Sequence, residues 1–386
     1  QLPLLVTVIQ LQFLMIPYSR QSINEDDIAA VVAVLRSDFL TQGPKVAEFE
    51  HALARYCGAR FAVAVPNGTA ALYLAYAAGG IKEGDEVITT ANTFVATANM
   101  ACMLRATPVL SDIRPDTRNI DETKLEGLIT KKTKAIVPVH FAGHPCEMDA
   151  LSRIAKKRQL LIIEDACHAI GAEYKGKKIG ALSDMTVFSF HPVKPITTGE
   201  GGAVLTDNKE YYEKMLLLRT HGIAKDPRKT EAVGKWFYEM TELGFNHRIT
   251  DIQCALGLSQ LRRLDAFQEK REALAGRYMS ALQNESRVVL PVRLPQVKHS
   301  WHLFAIEIRD TPKRRAVFEH LQKNGIGAQV HYIPIHFHPY YQKRGYGKKQ
   351  YPNAESYYAG ALSLPLYPAL LEKEQDFVIE KLREAL

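Results

Sequence analysis

From Arg60 to Asp207 the chain alternates short, β-branched apolar runs with stretches whose apolar residues recur at helical spacing. Seven runs read as strands: Phe61 to Val65, Glu86 to Thr90, Thr107 to Ser111, Lys134 to Val139, Leu160 to Glu164, Thr186 to Phe190 and Gly202 to Thr206. Most are apolar at nearly every position, the pattern of strands buried on both faces. The rhythm predicts an α/β fold with a seven-stranded, mostly parallel sheet flanked by helices. Beyond Asp207 the pattern turns helical, and Ile252 to Leu264 (IQCALGLSQLRRL) predicts a long helix continuing past Asp265. A smaller α/β unit follows, with strands expected at His302 to Ile308 and Ala328 to Tyr332 and a helix at Arg314 to Lys323. The chain therefore divides into an upstream segment at 1–14, a large domain with an N-terminal arm at 15–265, and a small C-terminal domain at 266–386.

At 386 residues, 46% apolar and 24% charged, the chain has room for a large core and the composition of a globular protein. Lys+Arg 49 against Asp+Glu 42 gives a formal charge of +7. The basic residues lie in short scattered groups such as Lys131-Lys132 and Lys313-Arg314-Arg315, which argues against nucleic-acid binding and for an anionic small substrate or a solvated basic surface. The five cysteines are odd in number and never in CxxC spacing, so neither a disulfide framework nor a zinc site is expected, and a reducing cytoplasm fits. The apolar opening QLPLLVTVIQLQFLM is too short to span a membrane and lacks a basic lead, so it reads as sequence upstream of a start at Met15.

Ligands of open α/β sheets sit beyond the carboxyl ends of the strands, and three stretches fall there. Pro66-Asn67-Gly68-Thr69-Ala70 joins a strand to an Ala-rich helix; its amides and the Thr69 hydroxyl form a phosphate seat, or Asn67 or Thr69 simply caps the helix. Glu164-Asp165-Ala166-Cys167-His168 places two carboxylates and an imidazole at a strand's mouth. There Asp165 holds a cationic ring nitrogen, binds a metal or caps the following turn. Ser189 ends a third strand and Lys194 follows in a loop flanked by Pro, Thr and Gly. A lysine so placed is either a desolvated nucleophile suited to a Schiff base or an ordinary surface lysine. The three together match the needs of pyridoxal phosphate: an amine for its aldehyde, an acid for its ring nitrogen and donors for its phosphate.

The phrases LTQGPKVAEFE, PNGTAAL, TFVATANM, EDACHAIGA, FSFHPVKPITTGEGGAV, GFNHRITDIQCALGLSQL and QVHYIPIH, in that order, resemble the DegT/DnrJ/EryC1/StrS family of fold type I sugar aminotransferases from about Tyr18 to the C-terminus. The resemblance implies that Lys194 is the Schiff-base lysine, that Asp165 pairs with the ring nitrogen and that His168 packs beside the ring. It implies that Gly68, Thr69, Ala70 and Ser189 hold the phosphate, that Phe94 lies against the ring and that Asn246 reaches the phosphate from the neighbouring subunit of a homodimer. Tyr18, the segment Asp38, Phe39, Leu40 and Thr41, together with Asn67, Gln329, Val330, His331 and Tyr332, would contact a nucleotide sugar; Tyr18 and the Asp38 segment read alone as a structural arm. Arg248 and Arg219 are candidates for the carboxylate of the amino donor. The cluster HYIPIHFH invites a zinc reading, but the family's substrate loop explains it better and no metal is expected.

Within the family the resemblance leans to the transaminases of pseudaminic acid biosynthesis. That implies L-glutamate as donor, pyridoxamine phosphate between two half-reactions, and UDP-4-keto-6-deoxy-N-acetyl-β-L-altrosamine as acceptor. The alternatives are an aminotransferase for another nucleotide 3- or 4-keto sugar, a pyridoxamine-phosphate-dependent dehydratase and a non-catalytic regulator. A dehydratase of the family carries histidine where this chain has Lys194, and a nicotinamide dehydrogenase would need GxGxxG where this chain has PNGT.

Overall fold

The computed structural model describes residues 15–386, so the reading of 1–14 lies outside the described residues. Seven strands form one sheet: β1 (Phe61–Val65), β2 (Glu86–Thr90), β3 (Thr107–Ser111), β4 (Thr133–Val137), β5 (Leu161–Asp165), β6 (Met185–Ser189) and β7 (Gly202–Thr206), in the order β1-β7-β6-β5-β4-β2-β3. β2 to β6 pair in parallel, and β7 runs antiparallel to both β1 and β6. The expected mostly parallel sheet is present, with β4, β5 and β6 shifted by a residue or two from the sequence reading. The shift makes Asp165 and Ser189 the last residues of their strands.

Alternation along the strands feeds two cores, one on each face. Ala62 and Ala64 of β1 and Ile162 of β5 pack on one side, while Val63, Val65 and Ile163 pack on the other. On the second side lies α1 (Gly68–Ala78), apolar nearly all round because it is enclosed by the sheet, α2 (Val95–Met103) and α3 (Lys209–Arg219). The other face is covered by amphipathic helices at Pro44–Cys57 and Met148–Arg158, and cover on both faces is what makes near-continuously apolar strands stable.

The single long helix expected after Asp251 is two helices, α4 (Asp251–Arg262) and α5 (Leu264–Leu282), broken at Arg263. The Arg263 guanidinium is tied to Asp27 and to the Ser22 carbonyl of the N-terminal arm, a contact across more than 230 residues that local periodicity does not report. α5 spans two cores: Leu264 and Phe267 pack with the large sheet, and Leu274, Ala275, Tyr278 and Leu282 pack with the C-terminal core. A division after residue 265 thus falls inside this helix.

The C-terminal core is built on an antiparallel sheet of β8 (Val288–Val289), β9 (Phe304–Ile308) and β10 (Ala361–Leu364), with α5, α6 (Arg314–Lys323) and α7 (Glu372–Ala385) against it. The strand expected at Ala328 to Tyr332 does not form; only a single bridge joins Gln329 to Ser363. Polar groups of this segment are satisfied elsewhere: Val330 N–H donates to the Gln329 side chain, His331 Nδ1 meets the Ser363 hydroxyl, and Tyr332 N–H donates to Asn92 Oδ1. The segment therefore bridges the two units rather than extending a sheet.

Candidate functional site

A cavity of about 720 Å³ opens at the carboxyl ends of β5 and β6, over the N-terminus of α1 and under the 329–333 segment. Each wall follows from local structure. At β5, strand alternation sends neighbouring carboxylates to opposite faces. Asp165 enters the cavity, where Thr97 Oγ1 donates to its Oδ2 at 2.7 Å and the Cys167 N–H donates to Oδ1 at 3.2 Å. Glu164 points away and is fully buried, taking hydrogen bonds from Ser183 Oγ (2.6 Å) and Thr186 Oγ1 (2.9 Å) and lying 2.6 Å from His140 Nε2. The Cys146 N–H donates to His140 Nδ1, which leaves Nε2 of His140 as the donor to Glu164. Only Asp165 of the two acids serves the cavity.

At the head of α1, Asn67 caps the helix: its Oδ1 accepts the Ala70 N–H at 2.8 Å. This corrects the expectation for Ala70, whose amide is occupied and which does not line the cavity. Gly68, exposed Thr69 and Ser189 do line it. A Cβ on Gly68 would stand 3.0 Å from the Ser189 Cβ and 3.2 Å from the Cys167 sulfur, so only glycine leaves this corner open. Gly202 opposite Ser189 is needed for a second reason: a Cβ there would stand 2.6 Å from the Asn67 carbonyl.

Lys194 sits in the turn after β6, half-buried, its N–H bonded to the His191 carbonyl at 2.8 Å. Burial holds its ammonium below the ordinary lysine range, partly offset by Cys167 and Asp165. Among the described residues no carboxylate forms a salt bridge with it, so the amine is free for chemistry. His168 is buried beside it, with Nε2 3.0 Å from the Tyr332 hydroxyl and Nδ1 without a partner among the described residues. Burial, then Lys194 and His331, push His168 well below the usual histidine value, so it is neutral. Burial takes His331 down to about 3 and raises the Tyr332 phenol. Phe94 stands at the mouth, 56% exposed, its ring 6.0 Å from Tyr332. Tyr18, Asn67, Gln329 and Val330 complete the expected lining.

Other expected residues lie elsewhere in the same chain. Asp38, Phe39, Leu40 and Thr41 are exposed and do not line the cavity; Thr41 bridges to Thr250. Asn246 is exposed, accepts the Arg248 N–H at 3.3 Å, and neither it nor Arg248 reaches the cavity. Arg219 is committed to Glu50 at 2.5 Å and to the Ala64 carbonyl at 3.0 Å, which removes it as a holder of a donor carboxylate. The histidines of HYIPIHFH diverge: His331 meets Ser363, His336 meets Glu355 at 3.0 Å, and His338 lies at the cavity rim. The sequence reading missed Thr97 and His302, whose ring centroid lies 4.4 Å from that of His168. TFVATANM carried the only signal for Thr97, a hydroxyl one turn after Phe94.

The arrangement fits pyridoxal phosphate on this structure's own features. A corner that any Cβ would fill is bounded by α1 amides and the Ser189 hydroxyl, a buried carboxylate lies deeper, and an unpaired amine faces the same space. The His168 Nδ1 orphan points to a ligand that supplies its partner.

Comparisons with known proteins agree. The UDP-4-amino-4,6-dideoxy-N-acetyl-beta-L-altrosamine transaminase of Campylobacter jejuni (serotype O:23/36) is 43% identical over 373 residues, 95% of this chain and 96% of that protein. Helicobacter pylori PseC, an aminotransferase involved in the biosynthesis of pseudoaminic acid, superposes with a TM-score of 0.91 at 36% identity, covering 96% of this chain and 99% of that one. NtdA from Bacillus subtilis, solved with bound cofactor PMP, superposes with a TM-score of 0.84 at 34% identity, covering 94% of this chain and 82% of that one. The sheet and its helices are those of a fold type I, pyridoxal-phosphate-dependent enzyme. The model of the DegT/DnrJ/EryC1/StrS aminotransferase family matches residues 21–383, and the chain belongs to that family.

Proposed function

We propose that this enzyme transfers the amino group of L-glutamate to UDP-4-keto-6-deoxy-N-acetyl-β-L-altrosamine, a step of pseudaminic acid biosynthesis in the cytoplasm. The observation that carries the reading is the convergence of Lys194, Asp165 and the Gly68–Ser189 corner on one cavity with a wide mouth. The names of the Campylobacter and Helicobacter relatives support the sugar, and five unpaired thiols support a reducing compartment.

Pyridoxal phosphate, when bound, supplies an aldehyde that condenses with amines and a ring that withdraws electrons from the carbon losing its proton. Gly68, Thr69 and Ser189 would hold its phosphate. Asp165 would keep a proton on the ring nitrogen by charge pairing. Lys194, whose burial lowers its proton affinity, would take the proton from Cα of glutamate and, in the half-reaction with the sugar, deliver one to its C4. His168, held by Tyr332, would pack beside the ring. Tyr18, Asn67, Gln329, Val330 and His331 bound the opening through which the nucleotide sugar enters.

The working unit in this reading is a homodimer. Asn246 and Arg248 lie outside their own cavity, in a stretch where Trp236, Tyr238, Met240, Leu243 and Phe245 are exposed. An apolar surface of that extent on a polar rim suits a partner. A two-fold partner would bring Asn246 to the other phosphate and Arg248, with the Asp38 to Thr41 segment, to the other nucleotide sugar.

The test is amino transfer from isotope-labelled glutamate to a panel of nucleotide keto-sugars. Label in the UDP-altrosamine product alone supports the reading. Label in another nucleotide's 3- or 4-amino sugar replaces the substrate and keeps the chemistry.

A further inference from the structure

Thr97 lies in the first turn of α2 and is 1% exposed. Its hydroxyl meets three oxygens: Asp165 Oδ2 at 2.7 Å, Thr93 Oγ1 at 2.8 Å and the Phe94 carbonyl at 3.3 Å. A hydroxyl has one proton to give. The carboxylate is the nearest of the three and carries the charge, so the proton goes to Asp165. Thr97 then has lone pairs free for the Thr93 O–H, and the direction of donation is Thr93 to Thr97 to Asp165. Thr93 is equally buried, so both hydroxyls are shielded from bulk solvent, a setting in which hydrogen bonds strengthen one another.

We infer that this relay makes Thr97 a positioning residue for transamination, with Thr93 behind it: it fixes the Asp165 carboxylate and keeps the proton on the cofactor's ring nitrogen. The inference rests on the reading that Asp165 pairs with that nitrogen. Donation to a carboxylate favours its anionic form. With the Thr97 donor gone, the proton between carboxylate and ring nitrogen moves toward the carboxylate, and the ring loses the charge on which its electron withdrawal depends. The hydroxyl is separable from the fold here. The Thr97 backbone carbonyl is held independently by the Tyr76 hydroxyl at 3.0 Å, and valine matches threonine in shape.

The experiment loads wild type, Thr97→Val, Thr97→Ser, Thr93→Val and Asp165→Asn with pyridoxal phosphate isotopically labelled at the ring nitrogen. The nitrogen chemical shift is read at one fixed pH, beside kcat and KM for glutamate. Thr97→Val is expected to move the signal toward the unprotonated position and lower kcat about 10- to 100-fold, the worth of one hydrogen bond to a charged group, with KM little changed. Thr97→Ser restores both, and Thr93→Val shifts the signal the same way by less. A wild-type signal in Thr97→Val, with Asp165→Asn displaced, overturns the inference and spares the pairing. An unmoved signal in Asp165→Asn removes the pairing and the inference with it. Should Thr97→Val fail to fold, a wild-type signal in Thr93→Val refutes the relay and a shifted one supports it.

Discussion

Glu164 and Asp165 are consecutive residues of β5 that serve opposite halves of the protein: Glu164 is locked to His140 at 2.6 Å in the core, while Asp165 faces the cavity and Thr97 at 2.7 Å. The same functional group is held in the core in one residue and turned to the cavity in the next, and the pleat alone separates them.

Glu164→Ala is therefore expected to destabilise the fold rather than alter the chemistry. It strips acceptors from the fully buried His140, from Ser183 and from Thr186, at a cost of about 3 kcal/mol or more. Denaturant titration of the variant should show the loss, and retained wild-type stability would remove the structural role.

Asp165→Asn is expected to show the reverse. Its amide lacks the charge that stabilises a protonated ring nitrogen, so kcat should fall by more than about 100-fold. Melting temperature and cofactor retention should change little. Turnover near wild type would sink the assignment.

Lys194→Ala should lose transamination by at least about 100-fold, the scale of a missing proton carrier. It should still hold the cofactor non-covalently through Gly68, Thr69 and Ser189. Borohydride treatment of the wild type followed by peptide mass spectrometry should find the adduct on Lys194; an adduct on another lysine refutes the site.

The shared site is testable by mixing. Lys194→Ala and Asn246→Ala subunits, allowed to exchange, rebuild one pocket with both residues only if Asn246 serves the partner's site. Partial recovery of activity is expected. Absence of recovery after proven exchange would place both residues in one chain's site.

Acid should loosen the protein through its buried histidines. Burial holds His331 at about 3 and His144 at about 4 in the folded state, below the ordinary 6.5 of the unfolded chain. The unfolded state then binds more protons, so stability is complete above pH 6.5 and declines as pH falls toward the folded values. For His331 the loss is about 2 kcal/mol by pH 5. Unfolding midpoints across pH 8 to 5 should fall, and His331→Asn should flatten the decline; a pH-independent midpoint contradicts it.

Local pattern carried much of this protein. Largely apolar runs bounded by turn residues mark most of the seven strands of the sheet, because strands buried on both faces carry few polar residues away from their ends. Ligand sites gather at strand ends, so Asp165, Ser189 and Lys194 were legible as one group from their places after β5 and β6, and PNGT from its place after β1. The tertiary structure alone decided which partners those residues meet. Arg219 turns out to spend its side chain on Glu50, and His168 on a tyrosine 164 residues away. Thr97 reaches Asp165 across 68 residues, and Arg263 breaks a helix where it meets the distant arm. Periodicity reports which face of an element is buried, whereas hydrogen-bond partners are set by how separate elements dock, and that information is not local to any stretch of the chain.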